Sequence, residues 1–209
     1  MNTFVSGFVR QCVAAAGTLL ALTLLLGAVY PAAVWAVSRV GSNSADGSQV
    51  TDSAGCPVGS TLIGIDPKVP AGAPDPFLHA RVLGSSDDPL AAGDPGASAA
   101  SNKGPNNEDL KAWIDARRTE IAQREGVAPA AVPAEAVAAS GSGLDPHISP
   151  EYARLQVPRI ARVTGKSPAQ VRRIIDDHTE GRTIGFLGQA RVNVLEVNLA
   201  LGHRAPCSA

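Results

Sequence analysis

The amino-acid sequence predicts an α+β mixed soluble domain carried on a single N-terminal transmembrane helix. Three observations predict it. No residue between Arg10 and Arg39 is charged, and the run 13–37 is almost wholly Ala, Val, Leu, Gly and Thr, where about 20 apolar residues suffice for a helix to cross a bilayer. Further along, apolar residues recur at helical spacing behind capping residues, as in Ser167-Pro168-Ala169-Gln170 followed by Val171, Ile174, Ile175 and His178. Elsewhere, short apolar stretches such as 59–64 and 77–83 have the length and flanks of strands.

Composition narrows the class. A chain of 209 residues has room for one domain of ordinary size. Its 18 Lys and Arg balance 19 Asp and Glu, and only 4% of residues are aromatic, so there is neither the basic surface nor the stacking platform that nucleic acid requires. Twenty-one glycines and sixteen prolines point to long loops. Cys12, Cys56 and Cys207 stand far apart without a C-x-x-C step or neighbouring histidine spacing, which excludes a metal pattern. Cys56 and Cys207 read as free thiols; a bridge between them is the alternative if the domain lies outside the cytoplasm.

Taken in order, residues 1–11 form a short N-terminus and 12–38 the span, with Tyr30 and Trp35 near one interface. A cleaved signal peptide, cut near Val34-Trp35-Ala36, is the competing reading, but a signal's apolar core runs only ~7–15 residues. Arg10 against Arg39 leans towards a cytoplasmic N-terminus with the domain extracytoplasmic, in the cell membrane. Residues 39–55, rich in Gly, Ser, Asn and Asp, read as a flexible tether. The domain then spans 56–209, with a loop-rich insertion around 84–105.

A helix capped by Asn106 or Asn107 runs to Gly126, with Leu110, Trp113, Ile114 and Ile121 on one face. Residues 136–139 read as a buried strand delivering the loop 140–150. Ser149 caps the following helix with Pro150 at its first position, and Pro158 is expected to interrupt it. The helix behind Ser167 is expected to stop at Gly181. Along 191–201, Leu195, Val197, Leu199 and Leu201 alternate as in a strand, while Asn193 offers the alternative of a capped short helix.

The stretch Ser140-Gly141-Ser142-Gly143-Leu144-Asp145-Pro146-His147-Ile148-Ser149-Pro150 is the shaped loop around which the domain is read, bent by glycines and stiffened by prolines. Ser140, Gly141, Ser142 and Gly143 are candidates for holding phosphate through backbone amides. Asp145 and His147, with His178, Glu180 and Arg182, are candidates for a partner-facing or structural loop. No catalytic residue is assigned, because neither Ser140 nor Ser142 sits in a G-x-S-x-G elbow. Gly165-Lys166-Ser167 is not a P-loop, since Ile160 stands where its first glycine belongs. No metal is predicted: His178 continues an apolar helix face and reads as a hydrogen-bonded histidine. An anchored domain without a complete catalytic set favours an accessory subunit, the alternatives being a membrane-anchored hydrolase or a secreted binding domain.

The residues also carry a resemblance. Gly59-Ser60-Thr61-Leu62-Ile63-Gly64, Ser101-Asn102 with Gly104-Pro105, the loop 139–149, Gln156-Val157-Pro158-Arg159, His178-Thr179-Glu180-Gly181-Arg182, Gly185-Phe186-Leu187-Gly188 and Arg191-Val192-Asn193-Val194-Leu195-Glu196 resemble, in order and spacing, the C subunit of the Kdp potassium-transporting ATPase. Phe77-Leu78-His79-Ala80-Arg81 resembles that family's aromatic-x-x-Arg-Pro segment without its proline. The resemblance implies a non-catalytic partner in a P-type ATPase importing potassium, beside an ATP-hydrolysing pump subunit and a channel-like potassium-binding subunit. It further implies a role in assembly and a chaperone-like increase of the pump's ATP affinity, with ATP held jointly with the pump subunit. An outward-facing domain cannot touch cytoplasmic ATP, so that effect is expected to be indirect, or the orientation to be reversed.

Overall fold

An uncharged apolar stretch satisfies its backbone most simply as helix, and the N-terminus does so. The computed structural model describes residues 2–70, 72–84 and 87–204. In it α1 (Asn2–Leu24), a π-helical turn (Leu25–Val29) and α2 (Tyr30–Ser38) run on into a 3₁₀ turn (Arg39–Gly41) and α3 (Ser42–Ala45). The whole helical stretch Phe4–Ala45 has a mean hydropathy of 2.2 over its most apolar window, none of it buried, and is long and apolar enough to cross a membrane. The π turn has a local cause. Pro31 cannot donate to the carbonyl of Gly27 and its ring crowds that carbonyl, so the turn before it widens and Tyr30 N–H reaches back five residues to Leu25 O.

Contacts divide the chain into two compact units, Met1–Ser48 and Gln49–Ala209. The first ends with Arg39 bonded to Asp46 Oδ1 at 3.1 Å and lying over the Trp35 ring. Residues 39–55, read as a tether, thus begin with helical turns and end in β1 (Gln49–Thr51), which pairs antiparallel with β2 (Pro57–Ser60). Between these strands Asp52 Oδ1 accepts from Ala54 N–H at 2.8 Å and Cys56 N–H at 3.0 Å, a tight turn that buries Cys56. Cys56 is disulfide-bonded whereas Cys12 is a free thiol. This corrects the reading of Cys56 as free, and Cys207 lies outside the described residues.

The second unit is an α+β domain. Its helices are α4 (Glu108–Glu125), α5 (Ala134–Val137), α6 (Pro150–Thr164), α7 (Pro168–Asp177) and α8 (Val194–Ala200). A small antiparallel sheet of β3 (His147–Ile148), β5 (Arg191–Asn193) and β4 (Thr179–Glu180), in that spatial order, pairs His147 with Asn193 and Thr179 with Val192. Ile121 of α4, Ile148 of β3, Val157 and Ile160 of α6, Val171 and Ile175 of α7, Val192 of β5 and Val197 of α8 meet in one core. Caps are where the sequence places them: Asn107 Oδ1 accepts from Leu110 N–H, Ser149 Oγ from Tyr152 N–H, and Ser167 forms a full capping box with Gln170.

Several elements differ from expectation for identifiable reasons. Residues 136–139 are not a strand: Pro133 starts a helical turn, α5, which still buries Ala136 and Val137. α6 runs through Pro158 because that residue is exposed and the carbonyl it cannot bond, that of Arg154, belongs to an exposed residue and so has water available. α7 ends at Asp177, before Gly181, because the chain turns into β4. Along 191–201 the capped helix is the reading that holds: β5 covers only Arg191–Asn193, and Leu195, Val197 and Leu199, read as alternating in a strand, lie in α8, which starts where Asn193 Oδ1 accepts from Glu196 N–H. The strand read over 59–64 is confined to β2, and Gly64 instead touches the site loop, where a Cβ would stand 2.3 Å from Asp145 O.

Residues 77–83 join no sheet, although Leu78, His79, Ala80 and Val82 are buried. Side chains replace the neighbouring strands. Asn198 accepts from Leu78 N–H at 2.8 Å and donates to Leu78 O at 2.9 Å; Gln156 does the same for His79 at 2.8 and 3.1 Å; Asp66 Oδ1 accepts from Ala80 N–H at 2.6 Å. A carboxamide offers one acceptor and one donor side by side, as a strand neighbour does.

Candidate functional site

α5 delivers the loop 140–149, which leaves into β3 and α6. The loop closes on itself. Ser140 Oγ accepts from Ser142 and Asp145 N–H, both at 3.3 Å, Ser142 Oγ from Leu144 N–H at 3.1 Å, and Ser140 O from Gly143 N–H at 3.4 Å. Ser140 N–H donates to Val82 O. Among Ser140, Gly141, Ser142 and Gly143, the amides of all but Gly141 are therefore engaged within the domain. The insertion lies on this loop as a cover. Ser142 O accepts from Ala99 N–H at 2.9 Å and Ser98 Oγ at 3.0 Å, Leu144 O from Gly64 N–H at 2.8 Å, and Gly93 packs so closely that a Cβ would meet Gly143 O at 2.0 Å.

Where the loop turns into β3, charged groups gather. Asp145 Oδ1 accepts from His147 N–H at 2.9 Å, and His147 Nδ1 lies 3.7 Å from the same oxygen. Arg81, on the segment 77–83, pairs with Asp145 Oδ2 through Nη2 and with Glu135 Oε1 through Nε at 3.0 Å. Glu135 Oε2 accepts from Ser149 Oγ at 3.0 Å. Burial pushes the Glu135 carboxyl up, more than Ser149 and Arg81 draw it down. With Ile148, Gln189, Ala190 and Arg191 these residues line a cleft of about 310 Å³.

The segment that brings Arg81 to the cleft is fixed from behind by a buried ionic network. His79 Nδ1 lies 2.8 Å from Asp66 Oδ2 and its Nε2 2.6 Å from Asp75 Oδ2. Burial alone would lower the His79 pKa, but the two carboxylates outweigh it and raise it, which favours the protonated ring with a donor towards each carboxylate. Asp75 is likewise pushed up by burial, yet His79 and Arg159 hold it down at about 2. Arg159 donates to Glu125 at 3.0 and 3.2 Å, to the carbonyls of Asp75 and Phe77 at 2.7 and 3.0 Å, and to Gln156 Oε1 at 3.0 Å. Arg124 completes it, bonded to Glu125 at 2.7 Å and to Tyr152 Oη at 2.8 Å.

The structure joins Asp145 and His147 but separates them from the second group. β5 lies between β3, which carries His147, and β4, which carries Glu180. His178 is half-buried, its Nδ1 2.8 Å from Ile174 O at the end of α7. Glu180 pairs with Arg191, which lines the cleft, and not with the exposed Arg182. Among the described residues no three His, Cys, Asp or Glu side chains form a group able to hold a metal ion. Sequence reasoning missed Glu135, Asp66 and Asp75, and gave His79 and Arg81 no role. Their signal is the alternation of His79 and Arg81 with apolar Leu78, Ala80 and Val82, which places two ionisable groups in a stretch otherwise fit for burial.

An α+β domain that follows one helix long and apolar enough to cross a membrane, with a charged cleft beside a closed serine-glycine loop, defines the class of protein. Comparison with known proteins is specific. The family model described as K+-transporting ATPase, c chain (KdpC) matches residues 12–203, and the chain belongs to this family. The potassium-transporting ATPase KdpC subunit of Kineococcus radiotolerans is 45% identical over 209 residues, covering 99% of this chain and 100% of that protein. Those of Streptomyces avermitilis and a Caulobacter species are 39% and 44% identical, covering 96% and 94% of this chain and 97% and 94% of theirs.

Proposed function

We propose that the chain is the accessory C subunit of an ATP-driven potassium importer, anchored by α1 and α2 in the cell membrane beside an ATP-hydrolysing pump subunit and a channel-like potassium-binding subunit. The observation that carries this reading is the extent of the family match, which begins inside the apolar helix and ends past α8, so helix and domain belong to one shared unit. The hydroxyls near the cleft are committed to structure: Ser140 and Ser142 bond within their own loop, and Ser149 caps α6 while donating to Glu135. That commitment favours the subunit reading over a membrane-anchored hydrolase.

The disulfide at Cys56 supports an extracytoplasmic domain, since such bonds persist in oxidising compartments. The engaged amides of the loop 140–145 support an influence on ATP that passes through the assembly and not through a phosphate cradle in this domain. In this reading the cleft of Arg81, Glu135, Asp145 and His147 faces a partner. The test is purification of the tagged chain from membranes. Two larger membrane subunits are expected to come with it, carrying potassium-stimulated ATPase activity that the chain alone lacks; turnover by the isolated chain would overturn the proposal. Asn43→Cys tests the orientation: labelling by an impermeant reagent in intact cells is expected, and protection reverses it.

A further inference from the structure

The hairpin between β4 and β5 carries apolar side chains that neither the core nor the cleft uses. Every residue from 181 to 189 is exposed, yet the stretch is closed by hydrogen bonds. Thr183 N–H donates to Leu187 O at 2.9 Å, Leu187 N–H returns to Thr183 O at 3.0 Å, and Gly185 N–H donates to Arg182 O at 3.1 Å. This turn presents Ile184, Phe186 and Leu187 at 73%, 67% and 51% exposure. Ile184 has φ 48°, and a β-branched residue in the left-handed region is strained, a cost that persists where local shape serves function.

We propose that this tip is a preformed wedge that seats in an apolar pocket on the extracytoplasmic face of one of the membrane subunits with which the chain assembles; the proposal rests on the functional reading above. Charge decides between the possible occupants. Apolar tips that enter anionic bilayers are flanked by unpaired cations and kept clear of carboxylates. Here Arg182 is the one cation within 181–189, Arg191 at the base of the hairpin is paired with Glu180, and the adjoining cleft holds Glu135 and Asp145, which falls short of the basic cluster that an anionic bilayer recruits. A second copy fits no better: two projecting tips bury little against each other, and seating Phe186 in the charged cleft would strip its ionised groups of water. A protein pocket with an apolar floor and a rim of both charges suits the wedge, which has the aromatic centre and polar surround of an interface anchor. Because the turn is already closed, docking orders little chain.

Phe186→Trp in the full chain reads the environment of the tip, after subtraction of the wild-type emission. The emission is expected to shift to the blue when the chain is purified with its partner subunits, and to stay red when the chain stands alone in nanodiscs of phosphatidylethanolamine and phosphatidylglycerol. A blue shift in the nanodiscs overturns the proposal in favour of lipid, one that appears only with rising protein concentration in favour of a second copy, and no shift in the complex overturns it outright. Independently, the pair Phe186→Ser and Leu187→Ser is expected to lower the amount retained per partner subunit at least about tenfold at unchanged melting temperature. Retention at the wild-type level refutes the wedge. If the wild-type chain fails to copurify, the functional reading falls as well; if it copurifies and neither variant responds, only the wedge falls.

Discussion

Replacing Asp75 by Asn removes one carboxylate from the buried network while keeping its shape, and the consequence has a sign that depends on pH. In the folded protein Asp75 is ionised down to about 2, against 3.8 for the free side chain. Each pKa unit corresponds to about 1.4 kcal/mol, so ionised Asp75 contributes roughly 2 kcal/mol to stability. Because its folded pKa is depressed, that contribution is complete above 3.8 and is lost as pH falls through about 2. His79 has the opposite sign: its raised pKa makes its contribution complete below about 6.5 and progressively lost as pH climbs through the folded value. Asp75→Asn is therefore expected to destabilise the domain by roughly 2 kcal/mol at pH 5 to 6 and by progressively less as the medium approaches pH 2. Urea unfolding of the full chain in detergent, followed by Trp113 fluorescence across pH 2.5–9, measures this directly. A wild-type-minus-variant difference that stays constant down the acid limb would refute the assignment of Asp75 as the ionised partner of His79 and Arg159.

Other expectations follow from the same contacts. Asn198→Leu keeps the branched outline of the side chain but leaves the buried N–H and C=O of Leu78 unpaired, and is expected to cost about 2–4 kcal/mol by chemical denaturation; a loss under half of that would mean that water or another side chain takes over. Gly93→Ala places a Cβ 2.0 Å from Gly143 O, so the cover must lift from the loop 140–145, with faster amide exchange at Ala99 and an intact α6. Reducing the Cys56 disulfide is expected to lower stability by about 2–4 kcal/mol, read as the shift in urea midpoint with and without reductant.

What the sequence disclosed and what it withheld divide by physical range. The N-terminal apolar helix, Asn107 and Ser149 as caps, the capping box at Ser167 and the apolar face of α7 were legible because each depends on residues within one or two turns. The misread elements are those settled by distant partners. Residues 77–83 have the pattern of a strand, and would pair as one if a neighbouring strand existed; instead Asn198 and Gln156, about 120 and 77 positions away in sequence, supply the hydrogen bonds. Pro158 was read as a break because its cost was judged without knowing that Arg154 faces solvent. The site divides the same way. Asp145 and His147 were found together because they are two residues apart, whereas Glu135 and Arg81 come into contact only through folding. The segment misread as a strand also places the cleft's arginine. Threading it between Asp66, Gln156 and Asn198 pins His79 in the interior and leaves Arg81, two residues on, facing Glu135 and Asp145. The buried network and the cleft are therefore one mechanical unit, and a change at His79 is expected to be felt at Arg81 because the backbone between them has no freedom to absorb it.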